Sequence, residues 1–394
     1  MIQLADHDMC TGCGACAFKC PKSCITMKEN NYGIVLPHLD EGKCVECHAC
    51  EKVCPVLNPP SASEPKVAYA AWSNEPEERR TSASGGVAVE VYKYAVSQGW
   101  HAVGASQNED FSVTHKVVQT VEGLRPLKNS KYVFSDTYDA FPKIKDLLKS
   151  GDKVVFIGLP CQVAALKNLF NNHDNLLLIE VVCHGATPLS YMLQHIHNLE
   201  SREGHEAKRM SFRDPDTYTY TYTFTLYDKE GRRFYAKRTK DGDTYQYGYH
   251  RSISYRENCY HCKFARRQRV SDITLSDYNG LGKMAPCEYN HLKVSCILCN
   301  TDRGQTFVND VIQSGRIHAD VRPVEEPISA DARLRMPTQK SKARLDFEKA
   351  FVESGNSFED AMTVVIKRDL RRIKIRKALA MPKKLLKKIY RLIK

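Results

Sequence analysis

The chain has 394 residues, and its sixteen cysteines are the side chains with most chemistry to offer. Eight of them repeat one spacing: Cys10-x-x-Cys13-x-x-Cys16-x-x-x-Cys20-Pro21, then Cys44-x-x-Cys47-x-x-Cys50-x-x-x-Cys54-Pro55. Three thiolates at this spacing wrap one four-iron cube, and the fourth, just before proline, ligates the other cube. The pattern predicts two [4Fe–4S] clusters. One takes Cys10, Cys13, Cys16 and Cys54, and the other takes Cys44, Cys47, Cys50 and Cys20. The small residues Gly12, Gly14 and Ala15 let backbone N–H groups approach the sulfurs and stabilise the reduced, more negative state. Zinc is the rival metal, but it takes four ligands, usually as paired CxxC units, and does not produce two matching halves. Cys24 fits no ligand slot and reads as a packed thiol.

A third constellation lies further on. Cys161 and Cys183 each follow an expected parallel strand at its carboxyl end, where ligand sites of open α/β sheets gather. Cys259-x-x-Cys262 sits in a loop-like stretch. Four such thiolates suffice for a third cubane; buried or redox-active free cysteines are the other reading of the same spacing. Cys296 and Cys299 lie three apart in a strand pattern, so they point to opposite faces and read as packing residues. Cys287 has no partner by spacing and reads as structural.

The elements that must position these thiols can be read along the chain. Residues 1–58 form the cysteine-rich unit, and the Pro- and Ser-rich stretch 59–66 is a linker. From Val67 the texture is α/β. Val67–Ser73, Lys153–Ile157, Leu176–Val182, Ser271–Ser276 and Lys293–Leu298 are strand candidates. Ser84-Gly85-Gly86 leads into a helix over Val87 to Val96, and Gly158-Leu159-Pro160-Cys161 into one ending at Phe170. Thr187-Pro188 predicts a helix start with a capping Thr. Residues 218–238 predict a hairpin around Lys229-Glu230-Gly231. The body spans 67–330, and residues 331–394 are expected to form a helical, basic tail, with one helix over Asp346–Val365.

Charge and composition narrow the class. With 42% hydrophobic residues the chain can bury a sizeable core. The net charge of +12 sits in the tail: Lys367–Lys394 holds thirteen Lys/Arg against Asp369 alone. The remainder is neutral, so no nucleic acid is expected as partner. Leu385, Leu386, Ile389, Tyr390 and Ile393 fall on one helical face opposite lysines, the pattern of an interfacial basic helix, with Pro382 expected to break the segment in two. Peripheral membrane contact through residues 367–394 and a solvated tail are both open. The N-terminus lacks the pattern of a signal peptide, and no run of about 18 apolar residues occurs. The expected location is cytoplasmic, with the inner membrane face open to the tail.

Ser82-Ala83-Ser84-Gly85-Gly86, Ser130-Lys131-Tyr132, Gly158-Leu159-Pro160-Cys161-Gln162, Cys183-His184-Gly185, Cys259-Tyr260-His261-Cys262-Lys263-Phe264-Ala265 and Asp272–Asp277 occur in that order. Over about residues 67–310 they resemble the beta-subunit family of the coenzyme F420 (deazaflavin) hydrogenases and dehydrogenases, here with a bacterial-type ferredoxin module in front. The resemblance implies a flavin, FAD or FMN, beside a [4Fe–4S] cluster held by Cys161, Cys183, Cys259 and Cys262. By position, Ser82, Ser84, Gly85 and Gly86 match the family's Ser/Gly-rich turn, which could cradle a flavin phosphate at a helix N-terminus or be an ordinary cap. Lys131 matches a lysine that could hold a phosphate or the flavin ring, or be a surface lysine. His184 could shuttle a proton or be a hydrogen-bonded imidazole. Lys131, His184 and Asp277 are the candidate catalytic residues. Asn279 stands where the family has Trp, and Leu159 where it usually has Thr, so transfer of the deazaflavin activity is in question.

The expected fold is an α+β ferredoxin-like di-cluster domain, then a larger α/β domain, then the basic helical tail. The expected function is an iron–sulfur flavoprotein oxidoreductase. It would relay electrons between a ferredoxin-type donor, or another oxidoreductase subunit, and a small-molecule organic substrate at the flavin. Some members of the family occur in surface-polysaccharide gene clusters, which makes that biosynthesis one setting. The alternatives are a carrier subunit with no substrate site of its own and a non-catalytic cluster protein docked at a membrane. No GxGxxG fingerprint supports direct use of NAD(P)H.

Overall fold

The computed structural model describes residues 2–216, 222–290 and 292–393, the stretch 377–393 by backbone alone. Helix α1 (Ala15–Lys19), strands β1 (Ile25–Glu29) and β2 (Val35–Leu39) and helix α2 (Ala49–Val53) form the N-terminal unit, with β1 and β2 antiparallel. Each short helix starts from a left-handed residue, Gly14 (φ 76°) or His48 (φ 55°), and ends on an extended cysteine, Cys20 or Cys54. The repeated cysteine spacing therefore becomes a repeated loop-and-helix geometry.

The body begins with β3 (Val67–Ser73), α3 (Pro76–Thr81), α4 (Val87–Ser97), β4 (His101–Gln107), β5 (Val113–Val118), α5 (Ala140–Lys149), β6 (Val154–Gly158), α6 (Pro160–Leu169), β7 (Leu176–Val181) and α7 (Leu189–Glu203). Strands β8 (Arg209–Ser211), β9 (Thr223–Tyr227) and β10 (Arg233–Arg238) make a small antiparallel sheet. The predicted hairpin is β9–β10, turning at Gly231 (φ 74°); residues 218–221 of that expectation lie outside the described residues. There follow α8 (Thr244–His250), α9 (Glu257–Tyr260), β11 (Ile273–Asp277), β12 (Ser295–Cys299), α10 (Asp302–Gln313), β13 (Ile317–Arg322), α11 (Glu325–Ala330), α12 (Lys342–Glu353) and α13 (Phe358–Ile393).

The main sheet has the order β13-β3-β12-β11-β7-β6-β4-β5. The pairs β4·β6, β6·β7 and β7·β11 are parallel and the rest antiparallel, so the sheet is mixed. The strands β6 and β7 are apolar throughout because helices cover both faces. Val155, Ile157, Leu177 and Ile179 pack under α4 and α10, while Val154, Phe156, Leu176 and Leu178 pack under α5 and α6. Each such side chain, fully buried, contributes roughly 1.5–3 kcal/mol. Cys299 faces the first of these layers and Cys296 the third apolar cluster on the opposite face, the packing role their spacing predicts.

Several expectations need correcting. Thr187 does not cap α7. Pro188 takes the cap position, and the Thr187 hydroxyl lies 3.2 Å from the Ser254 hydroxyl instead. The single helix expected over Asp346–Val365 is two helices, because Gly355 (φ 64°) and Asn356 (φ 67°) take the left-handed conformation and end α12. Helix α13 runs through Pro382 without a break, since proline removes one ladder bond and the neighbouring turns carry the rest. Residues 331–366 are not a tail: Phe347, Phe351, Phe358, Met362 and Val365 enter one core with Tyr191, Met192 and Phe212. The apolar face expected at Leu385 to Ile393 lies outside the described side chains. Among the described residues no helix is long and apolar enough to cross a membrane.

Candidate electron-transfer site

The N-terminal unit gathers its eight motif cysteines in two groups. Cys10, Cys13, Cys16 and Cys54 line one small cavity, which Cys50 also borders. Cys20, Cys44, Cys47 and Cys50 line a second. Matching backbone N–H groups point at sulfur in both halves, Gly12 to Cys10 Sγ and Glu46 to Cys44 Sγ, each at 3.4 Å. Such bonds favour extra negative charge on a sulfur-ligated metal centre. Burial pushes the Cys13 thiol up to about 11 and the Cys10 and Cys16 thiols up as well. Bare thiols at these positions stay protonated, so forming thiolates there is coupled to binding a metal. Cys24 is buried, with its Sγ 3.2 Å from Cys20 Sγ, a fifth thiol beside the second group.

The third tetrad forms where the topology brings strand ends together. Cys161 enters the first turn of α6 straight after β6, and Cys183 follows the neighbouring parallel strand β7. Helix α9 brings Cys259, and Cys262 follows it. All four line one cavity of about 40 Å³, together with Cys13 of the first group. The Ala186 N–H points at Cys259 Sγ at 3.4 Å. Burial raises all four thiols, Cys259 to about 11. The donor set, four sulfurs around one cavity, fits a cubane as it fits the first two groups.

The contact with Cys13 exists because the N-terminal unit is seated on the body. Ala15, Val53 and Phe18 join the apolar layer of α5 and α6. Thr137 Oγ1 donates to the Cys13 carbonyl (3.3 Å), Lys263 Nζ to that of Val56 (2.9 Å) and Asn168 Nδ2 to that of Asn58 (2.8 Å). The expected linker is stitched down as well: Ser63 pairs with Arg269.

A cavity of about 470 Å³ shares Cys183, His184, Gly185 and Ala186 with the third tetrad. This lies within the usual range for cofactor pockets. The turn Ser82–Gly86 forms one wall, and Gly86 (φ 88°) opens the eleven-residue helix α4, whose first N–H groups have no partner within the helix. Gly85 is required by space, since a Cβ there would lie 2.6 Å from the Ala71 carbonyl oxygen. Ser84 Oγ donates to the Val294 carbonyl, and the Ser82 carbonyl accepts from Lys293 Nζ. Tyr132 and Tyr249 stack at 4.6 Å to make an aromatic wall. Within the turn the Ala83 and Gly85 N–H groups are taken by Asn129 Oδ1 and Ser295 Oγ, so the N–H groups at the start of α4, with the apolar and aromatic interior and the cationic side chains, are what fit a flavin nucleotide.

The candidate catalytic residues line this cavity but differ in what their atoms are free to do. Lys131 Nζ donates to the carbonyls of Ala105, Pro126 and Lys128 at 2.8–3.0 Å. All three of its N–H bonds are spent on the main chain, which corrects the expectation that it reaches a phosphate or ring. Asp277, at the end of β11, pairs with Arg213 at 2.9 Å. Asn279 Nδ2 donates to Asp331 at 3.0 Å. The His184 ring opens on the cavity; burial, then the nearby Arg333, lowers its pKa, so the neutral imidazole is favoured. Sequence reasoning missed Arg213, Tyr222, Tyr249, His250 and Arg333, which complete the wall. The Tyr-rich run at 245–255 was the one signal, and it does not say which rings face the cavity.

Residues 151–324 match the family model for the C-terminal part of the coenzyme F420 hydrogenase/dehydrogenase beta subunit, and residues 9–58 match that for a 4Fe-4S dicluster domain. The class is therefore that of proteins with an iron–sulfur dicluster domain. Residues 151–324 thus carry the C-terminal domain of the coenzyme F420 hydrogenase/dehydrogenase beta-subunit family, with a 4Fe–4S dicluster domain in front. It is similar to a subunit of the F(420)H(2) dehydrogenase of Methanosarcina mazei, 23% identical over 194 residues, 46% of this chain and 55% of that one. It is also similar to the coenzyme F420-dependent sulfite reductase of Methanocaldococcus jannaschii, 29% identical over 177 residues, 42% of this chain and 26% of that one. The match thus spans about half the length, or less, of these curated relatives. A chain of the F420-reducing [NiFe] hydrogenase complex from Methanosarcina barkeri aligns over 78% of this chain and 93% of its own, at 16% identity and a TM-score of 0.43.

Proposed function

We propose that the protein is an oxidoreductase that relays electrons between a ferredoxin-type donor and a small organic substrate bound in the large cavity. The observation that carries this reading is the shared wall: residues 183–186 belong both to the third tetrad and to a cavity of about 470 Å³. Residues 1–58 would hold two four-iron centres, and Cys161, Cys183, Cys259 and Cys262 a third. The turn 82–86 and the start of α4 would hold a flavin phosphate. Bound there, cubanes supply one-electron steps, and a flavin joins them to two-electron chemistry. The chain's own part is positional. The Tyr132–Tyr249 wall keeps water from one side of the cavity, and Arg213 holds Asp277 in place. His184, neutral and open to the cavity, can take or give a proton at its ring nitrogen.

A carrier protein that wires a partner enzyme is the second reading, and one observation favours it: a matched relative is itself named as one subunit of a dehydrogenase. The test is iron, sulfide and flavin content of anaerobically purified protein. About twelve irons and one flavin per chain are expected, and Cys183→Ser should lose about four of those irons. About eight irons with no flavin would leave only the N-terminal centres and end the proposal. Full cofactor content with turnover of artificial acceptors alone would favour the carrier.

A further inference from the structure

Five arginines among the described residues are buried, and four have a carboxylate partner. Arg213 pairs with Asp277, Arg269 with Glu180, Arg322 with Glu326 and Arg344 with Glu348. Arg256, 3% exposed, has no carboxylate within ion-pair distance among the described residues. A buried charge without a counter-charge costs several kcal/mol. The protein has nevertheless built a place for it. Nη1 donates to the Thr11 carbonyl at 2.8 Å, inside the first cysteine motif, and the guanidinium lies 4.5 Å over the Phe134 ring. Its Nε, buried, has no hydrogen-bond partner. Gly12 makes the space: a Cβ there would stand 2.7 Å from Nη2.

The same residue is tied into the third tetrad. Its N–H donates to the Ala186 carbonyl and its carbonyl accepts from Cys259 N–H, and it lines that tetrad's cavity. The groups near this cation that become anionic on binding a metal are therefore sulfurs. Thr11, whose carbonyl Arg256 holds, adjoins Cys10 of the first tetrad, and Cys259 of the third is the residue whose N–H its own carbonyl accepts.

We infer that Arg256 is the shared counter-cation of the first and third cysteine tetrads, a positioning residue that raises the reduction potentials of those two centres and leaves the second alone. The inference rests on the three-centre reading above. A cubane with four thiolates gains one electron and one unit of negative charge on reduction, so a nearby fixed cation favours the reduced state. Arg269 also stands near Cys183 and Cys262, but Glu180 offsets it.

The test is redox potentiometry of the full chain, followed by electron paramagnetic resonance, on wild type, Arg256→Lys, Arg256→Gln and Arg256→Met. Two of three midpoint potentials should fall in the neutral variants and return towards wild type in Arg256→Lys. If the neutral variants hold no iron at the two centres while Arg256→Lys does, the charge is again the cause. Unchanged potentials in the neutral variants, or a lysine variant as altered as they are, would overturn the inference. So would iron loss in all three variants, since shape would then be what matters. Iron content of the wild type keeps the two proposals apart: about eight irons would end the three-centre reading, and one shifted potential of two is then still expected.

Discussion

Lys131 shows what a single residue's neighbours decide. Its place in the Ser130-Lys131-Tyr132 motif pointed to the cavity, and the side chain is there. Its three donors go to three main-chain carbonyls from two separate segments, information that no local spacing contains. Burial lowers the ammonium to about 7, and the carbonyls work against that by favouring the charged form. Replacing it by methionine would strip these carbonyls of their donor. Lys131→Met should lower stability by at least ~2 kcal/mol, read as a shift in the urea midpoint. An unchanged midpoint with loss of flavin would assign Lys131 to the cofactor instead.

Between elements, the most charged joint is His195 on α7. It is held between Asp243 at the head of α8 (3.1 Å) and Glu359 in the first turn of α13 (2.5 Å). Burial alone would lower this imidazole; the Asp243 and Glu359 carboxylates outweigh it and hold it up at about 9. Tyr235 also donates to Asp243, and Thr244 to Glu359, so the hairpin β9–β10 and the start of α8 share the joint. The folded pKa lies above the unfolded value of about 6.5. The stabilisation is therefore complete below about pH 6.5 and lost as pH rises through 9, on the order of 3 kcal/mol in all. Thermal midpoints should fall over that window in wild type, and His195→Gln should flatten the profile. Equal slopes in both proteins would remove His195 as the cause. None of this was legible beforehand, because the partners lie 48 and 164 residues away in the chain.

At the scale of the molecule, the C-terminal helices belong to the core. Ending the chain after residue 330 would remove Phe347, Phe351, Phe358 and Met362 from the layer around Tyr191 and expose that layer to water. Each lost aromatic contact of this kind is worth about 3–5 kcal/mol, so this truncation should give insoluble or unfolded protein. Ending after residue 376 should keep the iron content and the melting temperature. Soluble yield and circular-dichroism melts distinguish the two. Equal behaviour of the two truncations would restore the expected boundary at 330.

The cysteine groups of the N-terminal unit were written in the sequence because short spacing and small residues dictate them locally. The parallel strands β6 and β7 were legible for a similar reason. Their runs are apolar on both faces, and Cys161 and Cys183 sit just past their ends. Tertiary structure alone decided that Cys259 and Cys262 meet these two, that Cys13 borders them, and that the turn 82–86 closes a cavity against Cys183. It also decided that an unpaired Arg256 stands between two tetrads. Local backbone preferences act over a few residues, whereas these juxtapositions depend on how the sheet orders its strands and on where the N-terminal unit docks.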